Sequence, residues 1–478
     1  MPSSAQRVFR HTLLQIMSRA IGTALGLVAV SLIGRSLGTA GFGAYTSITA
    51  YLSVFAILAD FGVSTTIVAM LSEKDANEEQ LARNALGLRI ALTLGGLLAA
   101  IAIVPFTPYS LEIKYGIVLM TLSFFGISVN QIQTAFFQRH VRMDRPAIAE
   151  ISGRVLLVLG IWIAVSLKLA LVGILLAVIF SNVLHAIIAA FLLKGIAPFR
   201  PAANFAVWRI ILTRAWPVGA SIALNLIYLR ADTVILSWTH SQTEVGIYGM
   251  AYRVIDVLTV LPMLFMGIVL PFLATAWSYN DSERFTRTLT NALNALVLGA
   301  APLAAGALVL GPDLLALVAG EPFRTSGHVL QLLIFGVAAI FVGAAFTHTI
   351  VAVQAQRRML LPLAIDAILS LALYVLLIPR FGMWAAGSIT VFSEIFAAGA
   401  AITIAYRSSH AHPSWNIPVR AVIASCIMAL VLFAVPTVPL ALRLLLGVLV
   451  YSAAAFATGA VRPQTLRELL SLKNSSTS

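Results

Sequence analysis

Apolar runs of about twenty residues recur along almost the whole chain, and no other feature limits its folding so strongly. A run of that length, as a helix, matches the hydrocarbon thickness of a bilayer. The runs are read as membrane-spanning helices. They divide into about fourteen spans, at roughly 13–34, 43–70, 86–104, 115–137, 150–167, 170–193, 216–238, 246–272, 288–310, 327–353, 360–377, 383–405, 418–435 and 440–460. The fold class is therefore an all-α polytopic membrane protein.

Composition agrees with that class. Of 478 residues 60% are hydrophobic and 10% charged, with a mean hydropathy of +0.96. A net charge of +13 would suggest nucleic acid in a soluble chain. Here the basic residues fall in alternate loops. Arg7, Arg10, Arg139, Arg142, Arg145, Arg200, Arg209, Arg214, Arg357, Arg358 and Arg462 fall on one side, while Arg35, Lys114, Lys168, Arg324, Arg380 and Arg443 fall on the other. The richer side is expected to be cytoplasmic and to hold both termini. No cleavable signal is evident, so the first run is expected to be retained. The single cysteine, Cys426, allows no intramolecular disulfide, and no metal site is expected. The chain carries no Walker A loop, no HExxH and no CxxC, so ATP hydrolysis and metalloenzyme chemistry are not expected.

The two halves resemble each other. Gly43 and Tyr45 recur as Gly246 and Tyr248, Leu94-Gly95 as Leu298-Gly299, Phe125-Gly126 as Phe335-Gly336, and Phe180-Ser181 as Phe392-Ser393. Six spans is an even number, so both copies enter from one side and form a parallel repeat. The expected organisation is an N-terminal six-helix lobe (1–194), a cytoplasmic linker (195–215), a C-terminal six-helix lobe (216–406), and a further helix pair with a tail (407–478). In the linker, AVWRIILTRAW reads as a short amphipathic helix at the headgroups. The largest outward loop is expected at about 311–327.

Charges inside the spans are the candidate site. One near the bilayer centre costs roughly 2.5–3.5 kcal/mol on insertion scales, so it needs a partner or a wet cavity. The hairpin 216–274 carries Arg230, Asp232, Arg253 and Asp256, with each acid at the depth of an arginine on the other helix. Ser221, Asn225, Tyr228 and Asp232 form one polar stripe; Tyr248, Tyr252, Asp256 and Thr259 form another. These charges serve either as structural ion pairs or as a cavity wall. Arg19 shares a face with Gln15, Gly22 and Gly26, and Asp60 lies at nearly its depth. Arg89 reads as snorkelling to the headgroups. Glu150 and Arg154 are spaced i,i+4, with Asn182 and His185 at similar depth. Glu394 lies mid-span, neutral or as a proton or sodium site. Asp366 reads as solvated, and His348 as a polar helix contact.

Two stretches carry a family resemblance: GRSLGTAGFGAYTSITAYLSVFAILADFGVSTTI (34–67) and RADTVILSW…EVGIYGMAYRVIDVLTVLPMLFMGIVLP (230–271). They resemble bacterial polysaccharide exporters and Wzx-type lipid-linked oligosaccharide flippases, within the multidrug/oligosaccharidyl-lipid/polysaccharide exporter superfamily. The resemblance covers roughly residues 10–405. It implies two six-helix lobes around a central cavity, and transfer of an undecaprenyl-diphosphate-linked glycan across the bacterial cytoplasmic membrane. Because a lipid diphosphate is anionic and arginine matches phosphate oxygens, Arg19, Arg154, Arg230 and Arg253 are the expected substrate contacts. Asp60, Asp232, Asp256 and Glu394 are the expected charge-pairing or ion-coupling residues. No cofactor is expected beyond a coupling proton or sodium ion; a polysaccharide polymerase or ligase is an expected partner. The alternatives are a lipid II flippase and a cation-coupled multidrug exporter, the latter disfavoured by four deep arginines. A membrane polymerase or ligase would be expected to carry a large outward loop.

Overall fold

The computed structural model describes residues 4–71, 73, 77–140, 144–195 and 200–461, without the side chains of residues 4–20, 221 and 223–229. The expectations at Arg19, Ser221, Asn225 and Tyr228 therefore lie outside the described side chains. So do those at several basic loop residues, Arg7, Arg142 and Arg462 among them.

The described residues form thirteen α-helices and no strand. They are α1 (Ser4–Asp60), α2 (Val63–Leu71), α3 (Glu78–Ile103), α4 (Leu111–Arg139), α5 (Asp144–Ser166), α6 (Ala170–Leu193), α7 (Phe205–Thr239), α8 (Gln242–Ser278), α9 (Ser282–Ala319), α10 (Arg324–Ala352), α11 (Leu360–Ser409), α12 (Asn416–Ala434) and α13 (Leu440–Ala457). Local chemistry marks the starts: Asn77, Ser110, Asn204 and Asp281 each accept a hydrogen bond from a first-turn backbone N–H. Eleven helical stretches are long and apolar enough to cross a membrane. Two of these are of double length and turn at a glycine of positive φ, Gly38 in α1 (φ 66°) and Gly382 in α11 (φ 57°). Helix α7, whose side chains are partly undescribed, is not among the eleven. Fourteen crossings thus stays an expectation.

Three local expectations are corrected. The second span does not run unbroken: α1 ends at Asp60, Phe61 and Gly62 take positive φ (43° and 72°), and α2 begins at Val63. The linker segment is not a separate interfacial helix but the first turns of α7, because Ile211 and Ala215 are fully buried in a core with Ile67, Ile132 and Phe136. The outward loop at 311–327 is nearly absent, since α9 runs through Pro312 to Ala319 and α10 begins at Arg324. Gly327 makes this close, for a Cβ there would overlap Pro312.

The chain forms two compact units, one of Met1–Gly249 with Tyr374–Gly382, the other of Met250–Leu373 with Met383–Ser478. In lipid, helices gain little from burying apolar side chains against one another, so small residues that allow close approach carry the association. The first unit shows this at a glycine seam. A Cβ at Gly43 would overlap the Gln242 carbonyl, one at Gly246 would overlap the Thr39 carbonyl, and one at Gly249 would lie 2.7 Å from Thr46 Cγ2. The Ser47 hydroxyl closes the seam by donating to Gln242 Oε1 at 2.7 Å. In the second unit, α12 attaches to α9 through Met428 and Leu432 against Ala305 and Leu310, and Leu446 and Val450 of α13 pack against the same cluster. Arg443 of α13 donates to Asp313 of α9 at 2.9 Å, and Arg324 bonds the same carboxylate at 2.5 Å.

The two serines of one repeated dipeptide are both buried and hydrogen-bonded. Ser181 of α6 is buried and donates to the Gly153 carbonyl of α5 at 2.8 Å. In the other unit Ser393 donates to Asp366 across the kink of α11, also at 2.8 Å.

Candidate functional site

A cavity of about 960 Å³ lies within the first unit, walled by α1, α2, α4, α5, α6 and α7. Its position follows from the break at 61–62. Gly62 is needed there: its φ is 72°, and a Cβ would come within 2.8 Å of Gly219 N and Val218 Cβ. Gly219 is needed in turn, since a Cβ there would stand 2.8 Å from the Phe61 carbonyl oxygen. Pro217, just before these contacting residues, lacks the N–H that would continue the α7 ladder. Two weakened helices thus meet where the chain places Asp60.

Asp60 is the last residue of α1, and its carboxylate is held from two sides. Ser64, in the first turn of α2, donates to it at 2.6 Å. Arg89 of α3 forms an ion pair with it and also donates to Gln131 Oε1 of α4. Arg89 is 1% exposed, so the snorkelling expected for it is corrected. A carboxylate within reach outweighs the distant headgroups, because a buried guanidinium is tolerable only with a partner.

Arg154 of α5 is different. Its side chain is exposed, it lines the cavity, and it makes no hydrogen bond or ion pair among the described residues. Glu150, one turn earlier, also lines the cavity. Two glycines of α1 leave these charges room: a Cβ at Gly22 would lie 3.2 Å from Glu150 Oε1, and one at Gly26 would lie 3.8 Å from Arg154 Nη1. Neutral polar groups complete the wall. Asn130 bonds the His185 ring at 2.8 Å, Asn182 donates to Ser123 at 2.8 Å, and Gln131, Thr134 and Gln138 follow along α4.

Of the other expected residues, Arg230 and Asp232 belong to the first unit, and Arg253, Asp256 and Glu394 to the second. Asp232 is fully buried and accepts hydrogen bonds from the Tyr248 hydroxyl and the Thr233 amide, each at 2.5 Å. Arg230 is partly buried. In the second unit Arg253 and Asp256 form an i,i+3 pair on α8 at 3.7 Å. Glu394 is partly buried, with its stem 3.6 Å from where a Gly336 Cβ would be. Asp366 was expected to be solvated and is instead buried, accepting from Ser393 at 2.8 Å and Ser370 at 3.4 Å. Serines that serve a distant acid carry no sequence signal, which is why the position misled. His348 makes only a helical contact, to the Ala344 carbonyl at 2.8 Å. Sequence reasoning missed Gln131 and Asn130 altogether; both follow Phe125-Gly126 on the inner face of α4.

Comparison with known proteins adds to this geometry. Residues 8–277 match the family model described as polysaccharide biosynthesis protein. The probable low-salt glycan biosynthesis flippase Agl15 of Haloferax volcanii is 22% identical, over 97% of this chain and 98% of its own length. Among solved structures, the lipid II flippase MurJ in an inward closed conformation superposes with a TM-score of 0.79 at 13% identity, covering 93% of this chain and 98% of that one. An inward-facing multidrug resistance transporter of the MATE family, in the MOP superfamily, gives 0.68 at 15% identity, over 83% and 98%. At such identities the structural likeness speaks for the fold alone, an all-α bundle of long apolar helices.

Proposed function

This chain belongs to the polysaccharide biosynthesis protein family, and we propose that it is a flippase that carries a lipid-linked glycan from one leaflet to the other. The observation that carries the reading is the cavity itself. A hollow of about 960 Å³ with amide, hydroxyl, imidazole and guanidinium walls has no structural purpose inside an apolar helix bundle. It suits a polar headgroup that must cross while its polyprenyl tail stays in lipid. The full-length similarity to a probable glycan biosynthesis flippase supports the same class.

In this reading lobes 1–194 and 216–406, joined by 195–215, rock about the substrate, and 407–478 adds a peripheral pair. The carrier lipid is a polyprenyl diphosphate, undecaprenyl diphosphate in a bacterium. Arg19, Arg230 and Arg253 meet its phosphates, and Arg154 contacts the headgroup. Asp60, Asp232, Asp256 and Glu394 balance charge or couple a proton or sodium ion. The protein sits in the cytoplasmic membrane with both termini inside, and it hands its product to a polymerase or ligase.

The test is a headgroup-accessibility assay in proteoliposomes under imposed proton and sodium gradients. Arg154→Ala is expected to lower glycan translocation at least about tenfold at unchanged protein abundance, the scale of one charge-assisted contact. Wild-type translocation by this variant would remove Arg154 from the substrate path. A wild-type protein that moves lipid II alone would shift the reading to peptidoglycan precursor export.

A further inference from the structure

The two units differ in how arginines are partnered at the ends that the sequence assigns to the cytoplasm. In the first unit Arg83 pairs with Glu79 at 3.5 Å, Arg139 with Glu78 at 2.5 Å and Arg214 with Glu73 at 2.5 Å. In the second unit that end carries Arg284, Arg287, Arg357, Arg358, Arg407 and Arg420, all exposed. None of these six has a carboxylate partner among the described residues. Two acids share the end, Asp281 and Glu283, and Asp281 is engaged in capping α9. Residues 462–478 add three basic side chains and one acidic one, so they do not neutralise it. Topology alone does not demand this, because orientation follows the number of Lys and Arg and is nearly indifferent to acids. An unneutralised face is a separate property, and it points to an anion from outside the chain.

Cross-links between elements make these arginines one face. Arg358, in the turn before α11, donates to Ser408 at 3.1 Å, beside Arg407 at the end of α11. The amide of Ser414, in the loop before α12, donates to Thr290 of α9 at 3.4 Å, one turn beyond Arg287. Arg420 of α12 donates to the Gly459 carbonyl after α13 at 3.2 Å. Aromatic rings stand in the same loop: Trp415 is 38% exposed, donates its indole N–H to the Tyr406 hydroxyl at 3.2 Å and stacks on Phe346. Rings of this amphipathic kind favour the level of the headgroups. What adjoins the arginines chooses the anion. Leu361, Ile365 and Ile368 form an exposed stripe running from Arg358 along α11, and Val419, Ile423 and Leu430 form another beside Arg420 on α12. Guanidinium at the end of an exposed apolar stripe matches a molecule with an anionic head and an acyl tail.

We propose that this face of the second unit is a docking surface for anionic phospholipid of the surrounding leaflet, its phosphodiesters on the arginines and its acyl chains along the two stripes. The proposal stands apart from the flippase reading, since it concerns resident lipid and involves no translocation. It is tested with the purified full chain by native mass spectrometry, in the presence of equal amounts of phosphatidylglycerol and phosphatidylcholine of matched acyl chains. Wild type is expected to retain phosphatidylglycerol over phosphatidylcholine by at least about tenfold. Arg358→Gln and Arg420→Gln should each cut that preference about fivefold, the scale of one arginine at an anionic leaflet. Arg358→Lys and Arg420→Lys, which keep the charge, should keep most of it. Arg83→Gln removes the same charge from the first unit and should leave the preference unchanged. Equal retention of the two lipids by wild type overturns the proposal and leaves the face to an acidic protein. A loss in Arg83→Gln as large as in the other glutamine variants also overturns it, because net charge alone would then set the preference. So does an undiminished preference in both Arg358→Gln and Arg420→Gln. The substituted side chains are exposed, so the thermal midpoints of the variants are expected to match wild type.

Discussion

Asp60 and Arg89 show how a membrane interior sorts its charges. Removing one partner of a buried pair leaves the other desolvated, at roughly 3–5 kcal/mol. Asp60 keeps a 15% exposed side chain, so the lower end applies here. Arg89→Ala is expected to lower the unfolding midpoint and membrane abundance, and the double variant Arg89→Gln with Asp60→Asn to recover much of the loss. A single variant as stable as wild type would show that the pair contributes nothing. Arg154→Ala should leave the midpoint nearly unchanged, since that side chain bonds nothing among the described residues. The sequence made Asp60's need for a partner legible, because an acid stood at depth. It did not reveal which arginine answers, since Arg89's depth suits headgroup and carboxylate alike and only the packing of α3 chooses. Asp366 teaches the same point: its burial depends on Ser393, on the far side of a kink.

At the scale of elements, glycines decide where helices stop and how near they come. Gly62→Ala places a Cβ at positive φ against Gly219 and Val218, combining backbone strain of about 1–3 kcal/mol with overpacking. The expected result is loss of folded protein, measured as detergent-extracted monodisperse yield; normal yield would mean that α7 yields easily. Gly43→Val should open the seam with α8, because its side chain would collide with the Gln242 carbonyl. Cysteines at Thr39 and Glu244 are expected to cross-link with a short reagent in the otherwise wild-type protein, and at least severalfold less in the Gly43→Val background. Apolar run length made the helices legible. The break at 61–62 was not, since a single Gly within a run reads as tolerated until its neighbours are known. Nor was the continuity of α7, which follows from Ile211 and Ala215 finding a core.

For the whole molecule, hydropathy and the alternation of Lys and Arg carry most of the prediction. Reporter fusions at Gly195 and at Ser478 are expected to signal a cytoplasmic location, and one at Gly320 an external one. A fusion at Gly320 that reports cytoplasm would overturn the assigned orientation. The all-α membrane class agrees with what run length implied. The glycan itself was not legible, because neither hydropathy nor the positions of charges distinguish one neutral sugar from another. One consequence reaches beyond recognition. Where α1 meets α8, Gly43 and Gly246 leave bare main chain against bare main chain. The closeness of that joint is written into two missing methyl groups: either one, added, would drive the two helices apart.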